Sequence, residues 1–237
     1  MQLSFLHGFM GHPSDWDDIR SMLADHETFA PEVPKAPDWA TTIRLLSESV
    51  PRGSILVGYS MGARLALGVS LEFPHRLGGL VFVSGNPGLE ADEERVKRWA
   101  FDSRIAERIE SESPERFLDD WYRLPVFSSI PLSIRNSERD RKLLRAGMSW
   151  AESLRVLSVA KQPDYWPRLP ELTMPTLLVS GENDEKYRKI SQRFSERATS
   201  TKLTRQLVPE CGHIVHRERP AAFVSALRQF LSTFSHP

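Results

Sequence analysis

The chain has a single cysteine, Cys211, among its 237 residues, so no internal disulfide can form. No apolar run approaches the ~20 residues needed to span a bilayer, and residues 1–6 are too short and uncharged for a secretory signal. The formal net charge is zero, which gives no overall attraction toward nucleic acid or an anionic membrane. These absences predict a cytoplasmic protein that does not bind nucleic acid and does not insert into a membrane.

Short apolar runs alternate with helical patterns in the first and last thirds of the chain. We predict strands at residues 3–6, 55–57, 80–83, 176–179 and 203–208, and helices at 13–24, 61–71, 186–198 and 221–234. Near-continuous apolar strands separated by helices are typical of a parallel sheet covered on both faces. The sequence therefore predicts an α/β fold with a mostly parallel sheet flanked by helices.

The middle of the chain has a different pattern. Between residues 87 and 170 there is no clear strand, charge is dense, and aromatic residues recur at helical spacing. We interpret residues 87–170 as a helical cap inserted into a core made of residues 1–86 and 171–237. A chain of this length accommodates one domain with such an insertion.

The segment Gly58-Tyr59-Ser60-Met61-Gly62 matches G-x-S-x-G, between a predicted buried strand and a predicted helix. That strand–turn–helix context is what a nucleophile elbow requires, because the tight turn lifts the serine hydroxyl above the sheet. The helix start also presents backbone N–H groups to the site. An ordinary turn would also fit the motif, but the context favours Ser60 as the reactive residue and an α/β-hydrolase fold.

A serine hydroxyl reacts only when a histidine accepts its proton and a carboxylate fixes that histidine. In this fold the chain order is serine, acid, histidine. His213 follows the last predicted strand, and Asp184 follows the strand before it. We therefore predict Ser60, Asp184 and His213 as the catalytic residues, with Glu182 as the alternative acid.

Three further features surround the elbow. His7-Gly8-Phe9 leaves the first strand directly, so the backbone N–H groups of Phe9 and Met61 are expected to form an oxyanion hole. Arg64 lies one helical turn after Ser60, where it either binds an anion or reaches the exposed edge of the helix. The cap is rich in cations, most of which should face solvent: Arg95, Lys97, Arg98, Arg104, Arg108, Arg141, Lys142 and Arg145.

These residues together resemble the 2-succinyl-6-hydroxy-2,4-cyclohexadiene-1-carboxylate synthase family of menaquinone biosynthesis. The resemblance extends from Phe5 to about Phe230. It rests on Leu6-His7-Gly8-Phe9, the elbow with Ala63-Arg64, Asn86-Pro87-Gly88-Leu89, Asp120-Trp121-Tyr122, Pro125-Val126-Phe127, Gln162-Pro163-Asp164, the segment from Gly181 to Lys186, and Gly212-His213 with His216-Arg217-Glu218. The arginine after the elbow and the cap segments are more specific than the catalytic segments.

The resemblance implies a lyase that removes pyruvate from 2-succinyl-5-enolpyruvyl-6-hydroxy-3-cyclohexene-1-carboxylate, with no cofactor and no metal. Ser60 would act as a base, and the oxyanion hole would hold the enolate. The substrate is a small-molecule tricarboxylate, and the residues that the family pattern places around it are Arg64, Arg98, Lys142, Tyr59, Trp121 and Lys186. The family usually has arginine in place of Lys142, and a Pro-Gly-His-Gly-like segment where this chain has residues 31–35.

Two other functions fit the same residues. A carboxylesterase or thioesterase would use Ser60 as a nucleophile and pass through an acyl-enzyme. An apolar acyl pocket would favour it, whereas converging cationic side chains favour the lyase. A binding protein without catalysis would not require Ser60, Asp184 and His213 together. The sequence does not determine the oligomeric state.

Overall fold

The computed structural model describes residues 1–145, 149–199 and 202–234, and within these ranges a six-stranded sheet forms the centre. The strands are β1 (Gln2–Leu6), β2 (Glu27–Phe29), β3 (Ser54–Tyr59), β4 (Leu77–Val83), β5 (Thr176–Gly181) and β6 (Leu203–Val208). They are arranged in the order β2-β1-β3-β4-β5-β6, and neighbouring strands are parallel. This confirms the predicted parallel sheet.

The helices cover both faces of the sheet, and four of them, α4 to α7, lie between β4 and β5 along the chain. They are α1 (Asp17–Ser21), α2 (Trp39–Ser49), α3 (Met61–Glu72), α4 (Asp92–Ser111), α5 (Pro114–Trp121), α6 (Leu132–Leu143), α7 (Trp150–Leu157), α8 (Glu185–Arg197), α9 (Val215–Glu218) and α10 (Pro220–Ser232). Among the described residues, no helix is both long enough and apolar enough to cross a membrane.

Alternating residues of the buried strands pack into two separate cores. Leu56 of β3 packs on one face of the sheet in a cluster with α2, α3 and α8. Its neighbour Val57 packs on the other face in a cluster with α1 and α10. Successive side chains of a strand point to opposite faces, so two helical layers are needed to bury both sets.

The parallel arrangement decides where the functional loops meet. Leu6 pairs with Gly58, Tyr59 with Val83, and Gly181 with Val208, so the carboxyl ends of these strands lie side by side. Ligand sites in open parallel sheets form at this edge. The loops after β1, β3, β5 and β6 therefore converge on one site.

Residues 87–170 contain α4 to α7, and their described part contains no strand. A third cluster of buried residues belongs mainly to these helices and includes Phe117, Tyr122, Trp150 and Leu154. The helices lie over the carboxyl edge of the sheet through contacts of this cluster with Met10. The division into a core and a cap at residues 87 and 170 stays a prediction.

The first helix is shorter than the predicted span of 13–24. A 3₁₀ helix covers Pro13–Trp16, and α1 follows only to Ser21. The cap is His12, whose side chain accepts a hydrogen bond from the Ser14 N–H, while Asp15 accepts one from the His12 N–H at 3.0 Å. This reciprocal capping tightens the first turn. The structure also contains two elements that the sequence analysis did not predict. They are the helix α2 and the strand β2, which is short and largely exposed at the sheet edge.

Candidate active site

Ser60 lies at a sharp turn between β3 and α3. Its φ of 53° and ψ of −108° lie in a region that side-chain-bearing residues rarely adopt. A Cβ atom at Gly58 would overlap the carbonyl of Gly62, and one at Gly62 would overlap the carbonyl of Leu6. Both glycines are therefore required by close backbone approach, and the turn has the geometry of a nucleophile elbow.

Ser60, His213 and Asp184 form a continuous hydrogen-bonded line. The Ser60 hydroxyl lies 3.4 Å from Nε2 of His213, and Nδ1 of His213 lies 2.6 Å from Oδ2 of Asp184. The side chains of His213 and Asp184 are each only 4% exposed. Because Nδ1 faces a carboxylate, it carries the ring proton, and Nε2 is left to accept the hydroxyl proton of Ser60.

Glu182 lies apart from His213. It is exposed, and its carboxylate accepts a hydrogen bond from the Glu210 N–H at 3.0 Å. Asp184 also caps α8 through the Tyr187 N–H, which fixes the carboxylate from a second direction. The carboxylate in contact with His213 is thus that of Asp184.

Glu218, to which the sequence analysis assigned no role, fixes the loop that carries His213. The two oxygens of Glu218 accept hydrogen bonds from the Gly212 and Ile214 N–H groups, both at 2.8 Å. Burial raises the pKa of Glu218, although these two backbone hydrogen bonds act in the opposite direction. The signal in the sequence is weak, since a carboxylate five residues after a histidine also occurs on any exposed helix.

The two expected oxyanion donors line the same cavity as Ser60. Met61 is the first residue of α3, where backbone N–H groups have no acceptor within the helix. Phe9 follows β1 in a turn that is closed by a 3.0 Å hydrogen bond from the Gly11 N–H to the Gly8 carbonyl. Phe9 and Met61 therefore stay the predicted donors to a developing oxyanion.

The cavity above Ser60 has a volume of about 560 Å³, and we call it the main cavity. Trp121 and Leu154 of the cap form part of its wall, and Ser60 and His213 lie in its lining. Three cationic residues also line it: Arg64, Arg98 and Lys186. Its size suits a small ligand, and its cations suit an anionic one. Among the described residues, no group of three or more His, Cys, Asp or Glu could hold a metal ion.

Arg64 points into the interior rather than to the exposed edge of α3. Its terminal nitrogens donate to the Leu157 carbonyl at 2.7 Å and to Oε1 of Gln162 at 3.1 Å. Its guanidinium carbon lies 5.5 Å from the ring centre of Trp39. Burial, and then the positive charge of Arg98, lower the pKa of Arg64 to about 10, so it stays charged at neutral pH.

Arg98 and Lys186 approach the main cavity from the cap and from α8. Arg98 is half-buried, and its Nε donates to Asp102 at 2.8 Å. Burial and the charge of Arg98 lower the pKa of Lys186. The Lys186 ammonium lies 5.5 Å from the ring centre of Tyr187. The two cations therefore share one region of the cavity wall.

Lys142 and Tyr59 line a different, smaller cavity of about 50 Å³, which we call the small cavity. Lys142 is buried and donates to the Met10 carbonyl at 3.2 Å. Burial lowers its pKa, although Asp15 and Glu138 act to raise it. Trp121 and Ser60 line both cavities. The predicted binding residues are therefore divided between two adjoining spaces.

The other cap cations are engaged elsewhere or lie in solvent. Arg141 and Arg145 approach Asp15 at 3.7 and 2.6 Å, and Arg95 donates to the Gln162 carbonyl at 2.8 Å. Of residues 31–35, which differ from the family pattern, residues 32–35 border a third cavity of about 370 Å³ together with Trp150. Cys211 is fully buried, and burial raises the pKa of its thiol to about 12, as expected for a packed residue.

Comparison with known proteins gives a consistent result. Residues 5–226 match the model of the "Alpha/beta hydrolase family". A 2-succinyl-6-hydroxy-2,4-cyclohexadiene-1-carboxylate synthase of Enterobacter sp. (strain 638) is 32% identical over 97% of this chain and 91% of its own. The synthase of Photorhabdus laumondii is 32% identical over 98% of this chain and 86% of its own. The solved structure of MenH from S. aureus superimposes with a TM-score of 0.90 at 25% identity, covering 98% of this chain and 94% of that one.

Proposed function

This chain belongs to the 2-succinyl-6-hydroxy-2,4-cyclohexadiene-1-carboxylate synthase family within the α/β-hydrolases, and we propose the activity that follows from that membership. The chain eliminates pyruvate from 2-succinyl-5-enolpyruvyl-6-hydroxy-3-cyclohexene-1-carboxylate in menaquinone biosynthesis. The product is 2-succinyl-6-hydroxy-2,4-cyclohexadiene-1-carboxylate. The observation that carries this proposal is the environment of Arg64.

Arg64 lies in the lining of the main cavity, one helical turn beyond Ser60, and it makes its hydrogen bonds to a carbonyl and an amide. Within the part of the chain that the structure describes, no carboxylate forms an ion pair with it. A half-buried cation without a counter-ion is costly. A substrate with three carboxylates supplies the missing charge through bidentate, charge-assisted hydrogen bonds.

The chemical step follows from the geometry around Ser60. His213 accepts the hydroxyl proton of Ser60 as Ser60 removes the ring proton alpha to the succinyl ketone. The electron pair of that C–H bond forms an enolate, whose oxygen accepts from the Phe9 and Met61 N–H groups. The enolate then re-forms the ketone, its electron pair makes the ring 2,3-double bond, the 3,4-double bond shifts to the 4,5-position, and the bond from ring carbon 5 to the enolpyruvyl oxygen breaks. The departing enolate of pyruvate takes up the proton held by His213 and becomes pyruvate. Asp184 stabilises the charged imidazole in between.

Arg98 and Lys186 are proposed to bind the remaining carboxylates on the cap side of the main cavity. Trp121 forms the wall between the main and small cavities. Tyr59 and Lys142 in the small cavity would contact the part of the substrate that reaches past Trp121. The helices of residues 87–170 act as a cap that closes the site from water.

The direct test supplies the enolpyruvyl substrate and measures pyruvate with a coupled dehydrogenase. Wild-type protein should release one pyruvate for each substrate consumed, and the Ser60→Ala variant should release far less. A neutral p-nitrophenyl ester serves as the competing substrate. Rapid ester hydrolysis without pyruvate release would replace the lyase with an esterase.

A further inference from the structure

A mostly buried segment of six residues, 157–162, follows α7, binds Arg64 directly and reaches Arg98 through Asp102. Leu157, Ser158 and Gln162 are 3%, 0% and 0% exposed. Polar atoms of Leu157 and Gln162 bind Arg64. Ser158 binds the carboxylate that holds Arg98. One short segment therefore fixes the positions of two cationic side chains that come from different helices.

On the Arg64 side, the partners are neutral. The Gln162 side chain donates through Nε2 to the Asn86 carbonyl at 3.0 Å. Because only the nitrogen of the amide can donate, its oxygen must face Arg64. Two of the five N–H groups of Arg64 are used by Gln162 and Leu157, which leaves three for a ligand. Its positive charge remains uncompensated by a direct ion pair with any described residue.

The partner of Arg98 is the negatively charged carboxylate of Asp102. Asp102 is 2% exposed, accepts from Nε of Arg98 at 2.8 Å, and accepts from the Ser158 hydroxyl at 2.6 Å. The Ser158 oxygen in turn accepts from the Ala160 N–H at 3.1 Å. The carboxylate is thus held on both oxygens. The terminal nitrogens of Arg98 are left for a ligand, but the charge is already paired.

We propose that Gln162 and Asp102 are positioning residues that give the two arginines unequal roles. Gln162 orients Arg64 and leaves its charge for a substrate carboxylate, so Arg64 supplies most of the electrostatic binding. Asp102 orients Arg98 and neutralises it, so Arg98 contributes hydrogen-bond direction more than attraction. The inference deepens the proposed function and rests on it for the identity of the substrate.

The unequal roles follow from what each arginine gains when an anion arrives. A carboxylate at Arg64 neutralises a cation that has no ion-pair partner, and the gain is large in a partly desolvated site. A carboxylate at Arg98 must compete with Asp102, whose own negative charge repels it. Position 162 carries an amide, which leaves the charge of Arg64 unpaired. A glutamate there would form a permanent ion pair with Arg64, and the difference between Arg64 and Arg98 would be lost.

Two nearly isosteric charge changes test the inference, with succinate as a probe ligand in calorimetry. Gln162→Glu should weaken succinate binding at least tenfold, because the new carboxylate occupies Arg64. Asp102→Asn should strengthen it two- to fivefold, because Arg98 gains an unpaired charge. Gln192→Glu, which makes the same change on the exposed face of α8, should alter binding less than twofold.

Turnover separates this inference from the proposed function. In the pyruvate assay Gln162→Glu should raise KM at least tenfold and change kcat by less than threefold, a split that general damage to the fold would not produce. If wild type releases no pyruvate but succinate binds and responds as above, the proposed function is wrong and the positioning roles stand. Equal effects of Gln162→Glu and Asp102→Asn in the same direction would overturn the positioning roles.

A pair of arginine variants covers the case in which Gln162→Glu fails to fold. Arg64→Gln should weaken succinate binding at least tenfold. The double variant Arg98→Gln/Asp102→Asn, which leaves no unpaired carboxylate, should weaken it at most threefold. Circular dichroism and thermal unfolding of each variant establish that the fold is retained. Equal losses in the two variants, or no measurable succinate binding to wild type, would refute the unequal roles.

Discussion

The carboxylate of Glu218 straddles His213, because its two oxygens accept from the backbone N–H groups of the residues on either side of the histidine. The imidazole is held at the other end by Asp184 at 2.6 Å. His213 is therefore fixed by two separate carboxylates: Glu218 holds the backbone around it, and Asp184 holds its side chain. Such support is how a loop can hold a catalytic group within a fraction of an ångström.

Replacing Glu218 with Gln should reduce kcat about tenfold, because the amide nitrogen cannot accept and one of the two backbone N–H groups loses its partner. KM should change less than threefold, since the cations of the main cavity are untouched. Glu210→Gln is the matched control, because Glu210 lies on the same loop with an 82% exposed side chain. A Glu218→Gln enzyme with wild-type kcat would show that the loop keeps its geometry without this clamp.

Replacing any one of Ser60, His213 and Asp184 should remove most of the activity. Ser60→Ala, His213→Ala and Asp184→Asn should each lower kcat by at least about a hundredfold, and the double variants should be little worse than the singles, because the three groups act as a unit. Glu182→Gln should retain activity, since Glu182 bonds to the Glu210 N–H. The readout is pyruvate release by the purified variants. Additive losses would contradict the shared role.

Arg64→Ala should separate lyase from esterase chemistry. The change should lower kcat/KM for the enolpyruvyl substrate ten- to hundredfold, about 1.4–2.7 kcal/mol, because a charge-assisted contact is lost. Hydrolysis of a small neutral ester, if present, should be unaffected. Arg64→Lys should recover only part of the loss, because lysine lacks the planar pair of donors. Unchanged pyruvate release by Arg64→Ala would exclude the anionic pocket as the basis of specificity.

The fold and the contacts among Ser60, His213 and Asp184 could be predicted because their signals are local. The pattern around Ser60 needs only a strand, two glycines and a helix within a few residues, and the order of Asp184 and His213 follows from the fold. The pairing of Arg64 with Gln162 joins residues 98 positions apart, and no local pattern encodes it. For the same reason the sequence could not separate Lys142, which lines the small cavity, from Arg98, which lines the main cavity.

Short elements were also harder to predict. The strand β2 has three residues and lies mostly exposed at the edge of the sheet, so it lacks the apolar run that identifies a buried strand. The helix predicted at 13–24 begins as a 3₁₀ turn that is capped by His12 and Asp15. Histidine is an uncommon cap, and the preference for Ser at this position pointed to Ser14 instead.

The protein should become less stable in acid, because protonation of Asp15 removes a stabilising charge. Burial alone would raise its pKa, but Lys142 and Arg145 outweigh burial and lower the pKa from 3.8 to about 2. The stabilising contribution is therefore complete above pH 3.8 and is lost as the pH falls toward 2. Asp15→Asn should lower the free energy of unfolding near neutral pH by on the order of 2 kcal/mol, and the difference from wild type should shrink as the pH falls below about 4.

Urea denaturation between pH 7 and pH 3 measures this effect. Asp17→Asn is the control, because the Asp17 side chain is 60% exposed and pairs with nearby Arg20 in an i,i+3 contact. It should shift the unfolding midpoint far less than Asp15→Asn. A difference between Asp15→Asn and wild type that stays constant with pH would show that the network with Lys142 and Arg145 contributes no charge-dependent stability.

The backbone of Ser60 has a consequence for how this protein can evolve. A positive φ of 53° at a residue with a side chain costs on the order of 1–3 kcal/mol, and glycine would adopt the same turn without that cost. Folding alone therefore favours glycine at the centre of the elbow, whereas the proposed reaction requires a serine there. A lineage that lost its need for this chemistry would be expected to drift toward glycine at position 60, becoming more stable as it became inert. A serine at this strained position is therefore expected only in proteins that still require the reaction.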